Sequence, residues 1–237
     1  MIKAVFFDLD GTLLPMDQRL FVKAYFGGLA EKLAPYGYDP KEIVSAVYAG
    51  VEAMINNDGN MNNEKVFWKR FSEILGEKVY DHISVFDDYY KNEFQMVKNV
   101  CGFNGYAKVV IEKVKSLGLR VVLATNPLFP RIATQSRIRW AGLEPDEFEE
   151  YTTYEDYSFC KPSLAYYESI LKKLNLHPTE CVMIGNDVAE DMVAENLGMK
   201  VFLLKDCLIN TNNEDISKFE QGGFDELLKF IDSLNRK

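Results

Sequence analysis

The segment KAVFFDLDGTLL, from Lys3 to Leu14, opens with an apolar run that ends on two aspartates, Asp8 and Asp10. A short, continuous apolar run is typical of a strand covered on both faces of a parallel sheet. Alternate residues of a strand point to the same side, so we expect the two carboxylates to face one site. Two like charges at the end of a buried strand are costly unless a cation meets them. The segment therefore predicts a cation site at the tip of the first strand.

Other apolar runs predict the remaining strands of the same sheet. Three are nearly continuous and one is weaker: Arg120–Thr125, Cys181–Asn186, Lys200–Leu204 and, as the weaker one, Phe148–Tyr154. Helical patterns lie between them. Alternation of strands and helices predicts an α/β fold with a doubly wound parallel sheet and right-handed crossovers.

One long stretch, from about Asp17 to Lys98, contains only helical patterns. Simple winding of strand and helix would not need so long an excursion before the second strand. We therefore expect an all-helical domain over residues 17–98, inserted into an α/β core formed by residues 1–16 and 99–237.

Composition narrows the class of partner. The chain has 237 residues and a formal net charge of -9, which argues against a general nucleic-acid binder because such proteins need basic patches. No apolar run approaches the roughly 20 residues of a membrane span. An anionic substrate would need local positive charge at its binding site.

The four cysteines show no C-x-x-C spacing, and the chain has only two histidines. This pattern argues against a zinc site and against a disulfide framework. Scattered thiols of this kind are typical of a reduced, cytoplasmic protein.

Further polar residues follow the other predicted strands. Asp187 and Asp191 lie four residues apart after the run CVMI, and Thr125 and Asn126 follow the run RVVLA. Lys161 precedes a predicted helix. Because parallel sheets bind ligands at the carboxyl ends of their strands, we expect these groups to converge. Carboxylate oxygens, a hydroxyl and an ammonium together suit Mg²⁺ and a phosphoryl group.

Four segments in order, DLDGTLL, ATNP, CKPS and IGNDVAED, resemble the four motifs of the haloacid dehalogenase (HAD) superfamily. The helical insertion resembles the C1 cap of that superfamily. The resemblance implies a Rossmann-like core and, for most members, phosphatase activity. Asn186 departs from the pattern, because many members place an acidic residue directly after the glycine; we align the metal ligand to Asp187.

The resemblance implies a role for each matching residue. Asp8 would be the nucleophile that forms an aspartyl-phosphate, and Asp10 the general acid and base. The Asp8 carboxylate, the Asp10 backbone carbonyl and Asp187 would ligate Mg²⁺, while Asp191 would support the metal or hold Lys161.

The resemblance also implies a phosphate site. Thr125, Asn126 and backbone N–H groups would bind the phosphoryl oxygens, and Lys161 would stabilise their charge together with Mg²⁺. The implied function is a Mg²⁺-dependent phosphatase acting on a small phosphorylated metabolite. A phosphosugar mutase of the same superfamily and a catalytically silent phosphate-binding module are the alternatives.

Three further features have simpler interpretations. We expect the aromatic cluster of the insertion to be cap core rather than a surface that stacks on substrate; its members are Tyr25, Phe26, Phe67, Trp68 and Phe71. The asparagine-rich loop at residues 55–64 is interpreted as a surface turn in which Asn62 or Asn63 caps the next helix, the alternative being contact with substrate. Cys160, next to Lys161, is assigned a packing role.

Overall fold

A parallel six-stranded sheet forms the centre of the computed structural model, which describes residues 1–234. Within that part of the chain the strand order is β3-β2-β1-β4-β5-β6. The strands are β1 Ala4–Phe7, β2 Arg120–Leu123, β3 Glu150–Tyr151, β4 Cys181–Gly185, β5 Lys200–Leu204 and β6 Glu220–Gly222. The predicted doubly wound α/β fold is confirmed.

The predicted strands all form, although several end one or two residues early and β3 has only two residues. The strand β6 was not predicted. Its residues are exposed or half-buried at one edge of the sheet, so it has no apolar run that the sequence could reveal.

The first strand lies at the point where the winding direction changes. Phe7 is in register with Leu123 of β2 on one side and with Ile184 of β4 on the other. The Asp8 N–H donates to the Ile184 carbonyl at 2.9 Å, and the Ala124 N–H donates to the Phe7 carbonyl at 2.7 Å. These bonds extend the pairing past the strand ends, so the residues after β1, β2 and β4 meet in one crevice.

Eight helices accompany the sheet in the described residues: the first four form the insertion after β1, and the other four, the first of which lies just before β2, belong to the core. The first set is α1 Gln18–Leu33, α2 Pro40–Ile55, α3 Asn63–Leu75 and α4 Ile83–Lys91, with shorter 3₁₀ segments at Glu77–His82 and Glu93–Val100. The second set is α5 Tyr106–Ser116, α6 Arg131–Trp140, α7 Leu164–Leu174 and α8 Phe224–Ser233. No strand interrupts the first set within the described residues.

Polar side chains begin the three long helices of the insertion. Asp17 and Asp39 accept backbone N–H bonds in the first turns of α1 and α2. Asn62 accepts the Lys65 N–H at 3.1 Å and begins α3, as predicted. Each cap satisfies a donor that the helix itself leaves unpaired.

One continuous apolar cluster joins the helical insertion to one face of the sheet, and a second cluster covers the other face beneath α7. The division into a core of residues 1–16 and 99–237 and a cap of residues 17–98 stays a prediction, and its last three residues lie outside the described ones. Among the helices of residues 1–234, none has the length and apolarity needed to span a membrane.

Candidate active site

Asp8 follows directly on β1, and both oxygens of its carboxylate have partners. The Lys161 ammonium donates to Oδ1 at 2.8 Å. Thr12 Oγ1 lies 3.0 Å from Oδ2. Asp8 is only 7% exposed, so these two contacts fix the direction in which its carboxylate faces.

Lys161 is fully buried between two carboxylates. Its Nζ donates to Asp8 and, at 2.6 Å, to Asp191 Oδ1. Burial by itself lowers the pKa of Lys161, but the Asp191 and Asp8 charges act in the opposite direction and hold that pKa well above its ordinary value. Lys161 is therefore a fixed cation next to Asp8.

Asp191 also orders the loop after β4. Its Oδ2 accepts the Asp187 backbone N–H at 3.0 Å. Gly185 allows this approach, because a Cβ at that position would lie 2.1 Å from Asp191 Oδ2. Asp191 is buried, so it is not simply part of a solvated polar surface; it holds Lys161, one of the two roles that the resemblance implied.

Asp187 lines the same cavity as Asp8. Its Oδ1 accepts the backbone N–H groups of Ala189 at 2.8 Å and Glu190 at 3.0 Å. Both bonds use the same oxygen, so Oδ2 is available to a cation.

Asp10 forms an ion pair with Arg137 of α6, a residue that is 0% exposed. The guanidinium also lies 4.5 Å from the centre of the Phe129 ring and donates to Thr134. Burial raises the pKa of Asp10, and the Arg137 charge opposes that rise. Asp10 Oδ1 is buried without a hydrogen-bond partner among the described residues, whereas Oδ2 takes part in the ion pair with Arg137.

Thr125 and Asn126 lie at the end of β2, and both line the cavity. The Asn126 amide donates to the Glu190 carboxylate at 3.2 Å. Its Oδ1 is buried and has no partner in the described chain. The Thr125 carbonyl accepts the Tyr166 hydroxyl at 2.8 Å, which fixes the backbone at this point.

Sequence reasoning assigned no role in the site to three side chains of motifs that it had quoted, Thr12, Asn186 and Glu190, although it had noted Asn186 as a departure from the pattern. Thr12 Oγ1 lies 2.8 Å from Asn186 Oδ1 as well as next to Asp8. The Asn186 amide donates to the Cys207 carbonyl at 2.6 Å, so this residue links the first motif to a later loop. Glu190 faces the cavity, and burial raises its pKa to about 7.

Sequence reasoning did not predict Arg137 as a site residue either, because no feature of the sequence distinguishes it from the other arginines of α6. It lies in the pattern RIATQSRIRW, where three arginines suggest a solvated helix face. Only the packing of α6 against the first motif shows which of the three is buried.

A cavity of about 310 Å³ extends from these polar groups into the helical insertion. Tyr25, Phe26, Phe67 and Trp68 line it. The same four belong to, or pack against, the apolar cluster of the insertion, as expected of cap core, but that expectation did not include a place on the cavity wall. It holds for Phe71, which is fully buried and does not line the cavity.

The donor atoms at the polar end of the cavity are chemically suited to Mg²⁺. Asp8 and Asp187 offer carboxylate oxygens and Asp10 a backbone carbonyl, and hard cations prefer oxygen. Among residues 1–234, no group of three or more His, Cys, Asp or Glu side chains is arranged to hold a metal ion. A site built from Asp8, Asp187 and the Asp10 carbonyl needs only two carboxylates, since its third protein ligand belongs to the backbone.

The asparagine-rich loop ties the insertion to the core. The Asn62 amide donates to the Glu155 carbonyl at 2.7 Å, and Asn63, fully buried, donates to Cys160 Sγ at 3.2 Å. None of the loop's asparagines belongs to the described cavity lining. Cys160 is itself buried, and burial raises the pKa of its thiol to about 12, in agreement with a packing role.

Comparison with known proteins agrees with this geometry. A family model described as haloacid dehalogenase-like hydrolase matches residues 2–198. The chain is 26% identical to a glyceraldehyde 3-phosphate phosphatase of Methanothermobacter thermautotrophicus over 92% of each chain. It is 24% identical to a protein of the same name from Methanocaldococcus jannaschii over the whole of both.

Solved structures share the fold. A HAD phosphatase of Thermococcus onnurineus has a TM-score of 0.60 at 19% identity, covering 97% of this chain and 98% of the other. A 2-haloacid dehalogenase of Pseudomonas syringae has a TM-score of 0.64 at 17% identity, covering 99% of this chain and 100% of the other.

Proposed function

The chain belongs to the haloacid dehalogenase-like hydrolases and is a phosphatase of that family, and from this premise we propose its reaction, cofactor and class of substrate. It hydrolyses a small phosphorylated metabolite, depends on Mg²⁺ and proceeds through an aspartyl-phosphate on Asp8. The observation that carries the proposal is the placement of Asp8 and Asp10 on one cavity, with Lys161 bonded to the first.

In the first step, a carboxylate oxygen of Asp8 attacks phosphorus as the bond to the leaving alcohol breaks. The contacts with Lys161 and Thr12 hold that carboxylate in one orientation, which lowers the entropic part of the barrier. Asp10, protonated at this stage, gives its proton to the departing oxygen. We assign the proton to Oδ1, because Oδ2 is paired with Arg137 and Oδ1 has no partner among the described residues.

In the second step, a water molecule attacks the phosphorus of the aspartyl-phosphate, and Asp10 takes its proton as general base. Phosphate leaves and the Asp8 carboxylate is restored. Arg137 supports this role because its positive charge stabilises the ionised form of Asp10, while burial favours the protonated form. Opposing effects of this kind suit a group that must both give and accept a proton.

The phosphoryl oxygens need positive charge and hydrogen-bond donors. Lys161 supplies a positive charge next to Asp8 despite the net charge of the chain, and Thr125 and Asn126 line the cavity that Asp8 also lines. Mg²⁺, held by Asp8, Asp187 and the Asp10 carbonyl, would act there as a Lewis acid that neutralises developing charge.

The cavity favours a small substrate, because it lies between the sheet edge and the helical insertion. The relatives named as glyceraldehyde 3-phosphate phosphatases support a small phosphorylated metabolite. Nucleic acid does not fit a chain with this net charge and so enclosed a site. We also propose a cytoplasmic location, because the four cysteines are all free thiols.

The test is hydrolysis of p-nitrophenyl phosphate by the purified protein with Mg²⁺ and with EDTA. We expect activity with Mg²⁺, loss of that activity with EDTA, and no turnover by Asp8→Asn. Equal activity of wild type and Asp8→Asn would disprove the proposed nucleophile.

Asp10→Asn separates acid–base chemistry from metal binding. It should lower kcat by about 10²–10⁴-fold while leaving the apparent Mg²⁺ affinity unchanged, because the proposed metal contact of Asp10 is through the backbone. A large loss of Mg²⁺ affinity would contradict that assignment.

A further inference from the structure

We propose that the cavity selects phosphate monoesters whose leaving group is uncharged and largely apolar, such as an aromatic or branched hydrocarbon group. The inference rests on the proposed phosphatase function and narrows its substrate class. It follows from two properties of the cavity: apolar walls above the polar end, and a lack of cations in those walls.

The walls away from the aspartates are built from all four helices of the insertion. Helix α1 contributes a continuous stripe that includes Phe21 and Tyr25, and α2 contributes Val47 and Val51. Trp68 of α3 completes the chamber with Phe86 of α4 and the Leu128–Pro130 segment of the core. We call this part of the cavity the apolar chamber.

Two polar groups of the chamber are paired with each other. The hydroxyls of Tyr25 and Tyr90 lie 2.8 Å apart and form a hydrogen bond, which uses one of their two protons and leaves the other for a ligand. The rest of the wall is mostly aromatic and aliphatic, so the chamber offers a leaving group few polar contacts.

No Lys, Arg or His lines the cavity in the described part of the chain. The two buried cations nearby are already bound by carboxylates of the site, Lys161 by Asp8 and Asp191 and Arg137 by Asp10. A second phosphate or a carboxylate on the substrate would be desolvated against rings with no cation to pair with, and such burial is strongly unfavourable.

The same chamber favours the binding of apolar groups, because each apolar atom removed from water contributes to the binding free energy in proportion to its buried area. A volume of about 310 Å³ is at the small end of ligand pockets. It fits one phosphoryl group and a leaving group of roughly one ring. A ligand with a second anion loses the gain from apolar burial and also bears the cost of an unpaired buried charge. A neutral polar group loses only the first, so the chamber should discriminate more strongly against the second anion.

Binding of non-hydrolysable phosphonates tests the inference without relying on turnover. Calorimetric titration with Mg²⁺ would compare benzylphosphonate, 2-hydroxyethylphosphonate and phosphonoacetate, which is anionic at both ends. We expect benzylphosphonate to bind at least about 10-fold more tightly than the hydroxyethyl compound, as burial of a ring predicts, and phosphonoacetate to bind most weakly. Equal affinities, tighter binding of phosphonoacetate, or no binding of benzylphosphonate would each overturn the inference.

Turnover separates this inference from the proposed function. Benzyl phosphate and glyceraldehyde 3-phosphate both release a primary alcohol, so a difference in kcat/KM reports on the pocket. We expect benzyl phosphate to be preferred by about 10-fold or more. Hydrolysis of both esters at equal kcat/KM would keep the phosphatase and overturn the chamber selectivity. Selective binding of benzylphosphonate with no hydrolysis of any ester would overturn the phosphatase and support the chamber.

A positively charged side chain introduced at the wall of the chamber should shift its preference from benzylphosphonate towards phosphonoacetate. Tyr48 lines the cavity and is 55% exposed, so Tyr48→Arg can be accommodated at its solvent side. We expect it to tighten phosphonoacetate binding and weaken benzylphosphonate binding. The matched control is Tyr36→Arg, which places the same charge on the insertion at a residue that is 43% exposed and outside the cavity lining. Equal effects of the two variants would show that the net charge, and not the chamber, sets selectivity.

Discussion

Arg137 and Asp10 form a buried ion pair that joins α6 to the segment after β1. Removing the arginine alone would leave a buried carboxylate without its partner, which costs about 3–5 kcal/mol. We expect Arg137→Met to lower the thermal unfolding midpoint strongly, and the double variant Arg137→Met with Asp10→Asn to be more stable than Arg137→Met. A thermal unfolding cycle of the four proteins measures the coupling, which should exceed about 1 kcal/mol. Additive single effects would show that the pair does not interact.

Gly185 lets Asp191 approach the backbone, and a methyl group there has no room. Gly185→Ala should destabilise the protein by about 1–3 kcal/mol through overpacking and reduce activity, because displaced Asp191 would no longer hold Lys161. The matched control is Gly27→Ala, an exposed position in α1 where a Cβ meets nothing within 4 Å. It should stabilise the protein by about 0.5–1 kcal/mol. Denaturant unfolding measures both, and a neutral Gly185→Ala would disprove the close approach.

The ionisation of Glu190 should make the stability of the metal-free protein fall as the pH rises. Burial raises its pKa from 4.5 to about 7, so the folded state holds the proton more tightly than the unfolded state. Its stabilising contribution is complete below the unfolded pKa and is lost as pH rises towards the folded pKa. In EDTA, Glu190→Gln should therefore be more stable than wild type at pH 8, by at most about 3 kcal/mol.

At pH 5 the same variant should differ little from wild type, because the glutamate is then mostly protonated. Glu168→Gln on α7 is the control, since Glu168 is exposed. Thermal unfolding at both pH values measures the effect. A Glu190→Gln difference that does not change with pH would contradict the assigned burial.

Cys160 should be inert despite its position next to Lys161. Burial raises the pKa of its thiol to about 12, so only about one thiol in ten thousand is ionised at pH 8. Iodoacetamide should alkylate half-buried Cys207 well before Cys160 in the native protein, as peptide mass spectrometry would show. Cys160→Ser should keep most of the activity. Rapid labelling of Cys160, or loss of activity in that variant, would reinstate a reactive thiol.

Much of the fold could be read from local patterns, because each buried strand is a short apolar run and each long helix of the insertion begins at a polar cap. The edge strand β6 could not, since an edge strand needs no apolar run. In the site, Asp8, Asp187 and Lys161 were found because they stand in ordered motifs at strand ends or before a helix. Their contacts were not, because residues 153 positions apart along the chain meet only when the sheet forms.

Hydrophobic periodicity and short motifs are local properties, so they were enough to predict the parallel α/β core, the helical insertion and the polar residues at the strand ends. The burial of Arg137 against Asp10 and the place of the insertion's aromatic side chains on a cavity wall became visible only in the folded chain. An amphipathic helix shows in its sequence which of its faces is apolar, but not which part of the protein that face contacts. Whether an aromatic ring fills a core or borders a cavity depends on how helices from distant parts of the chain pack together.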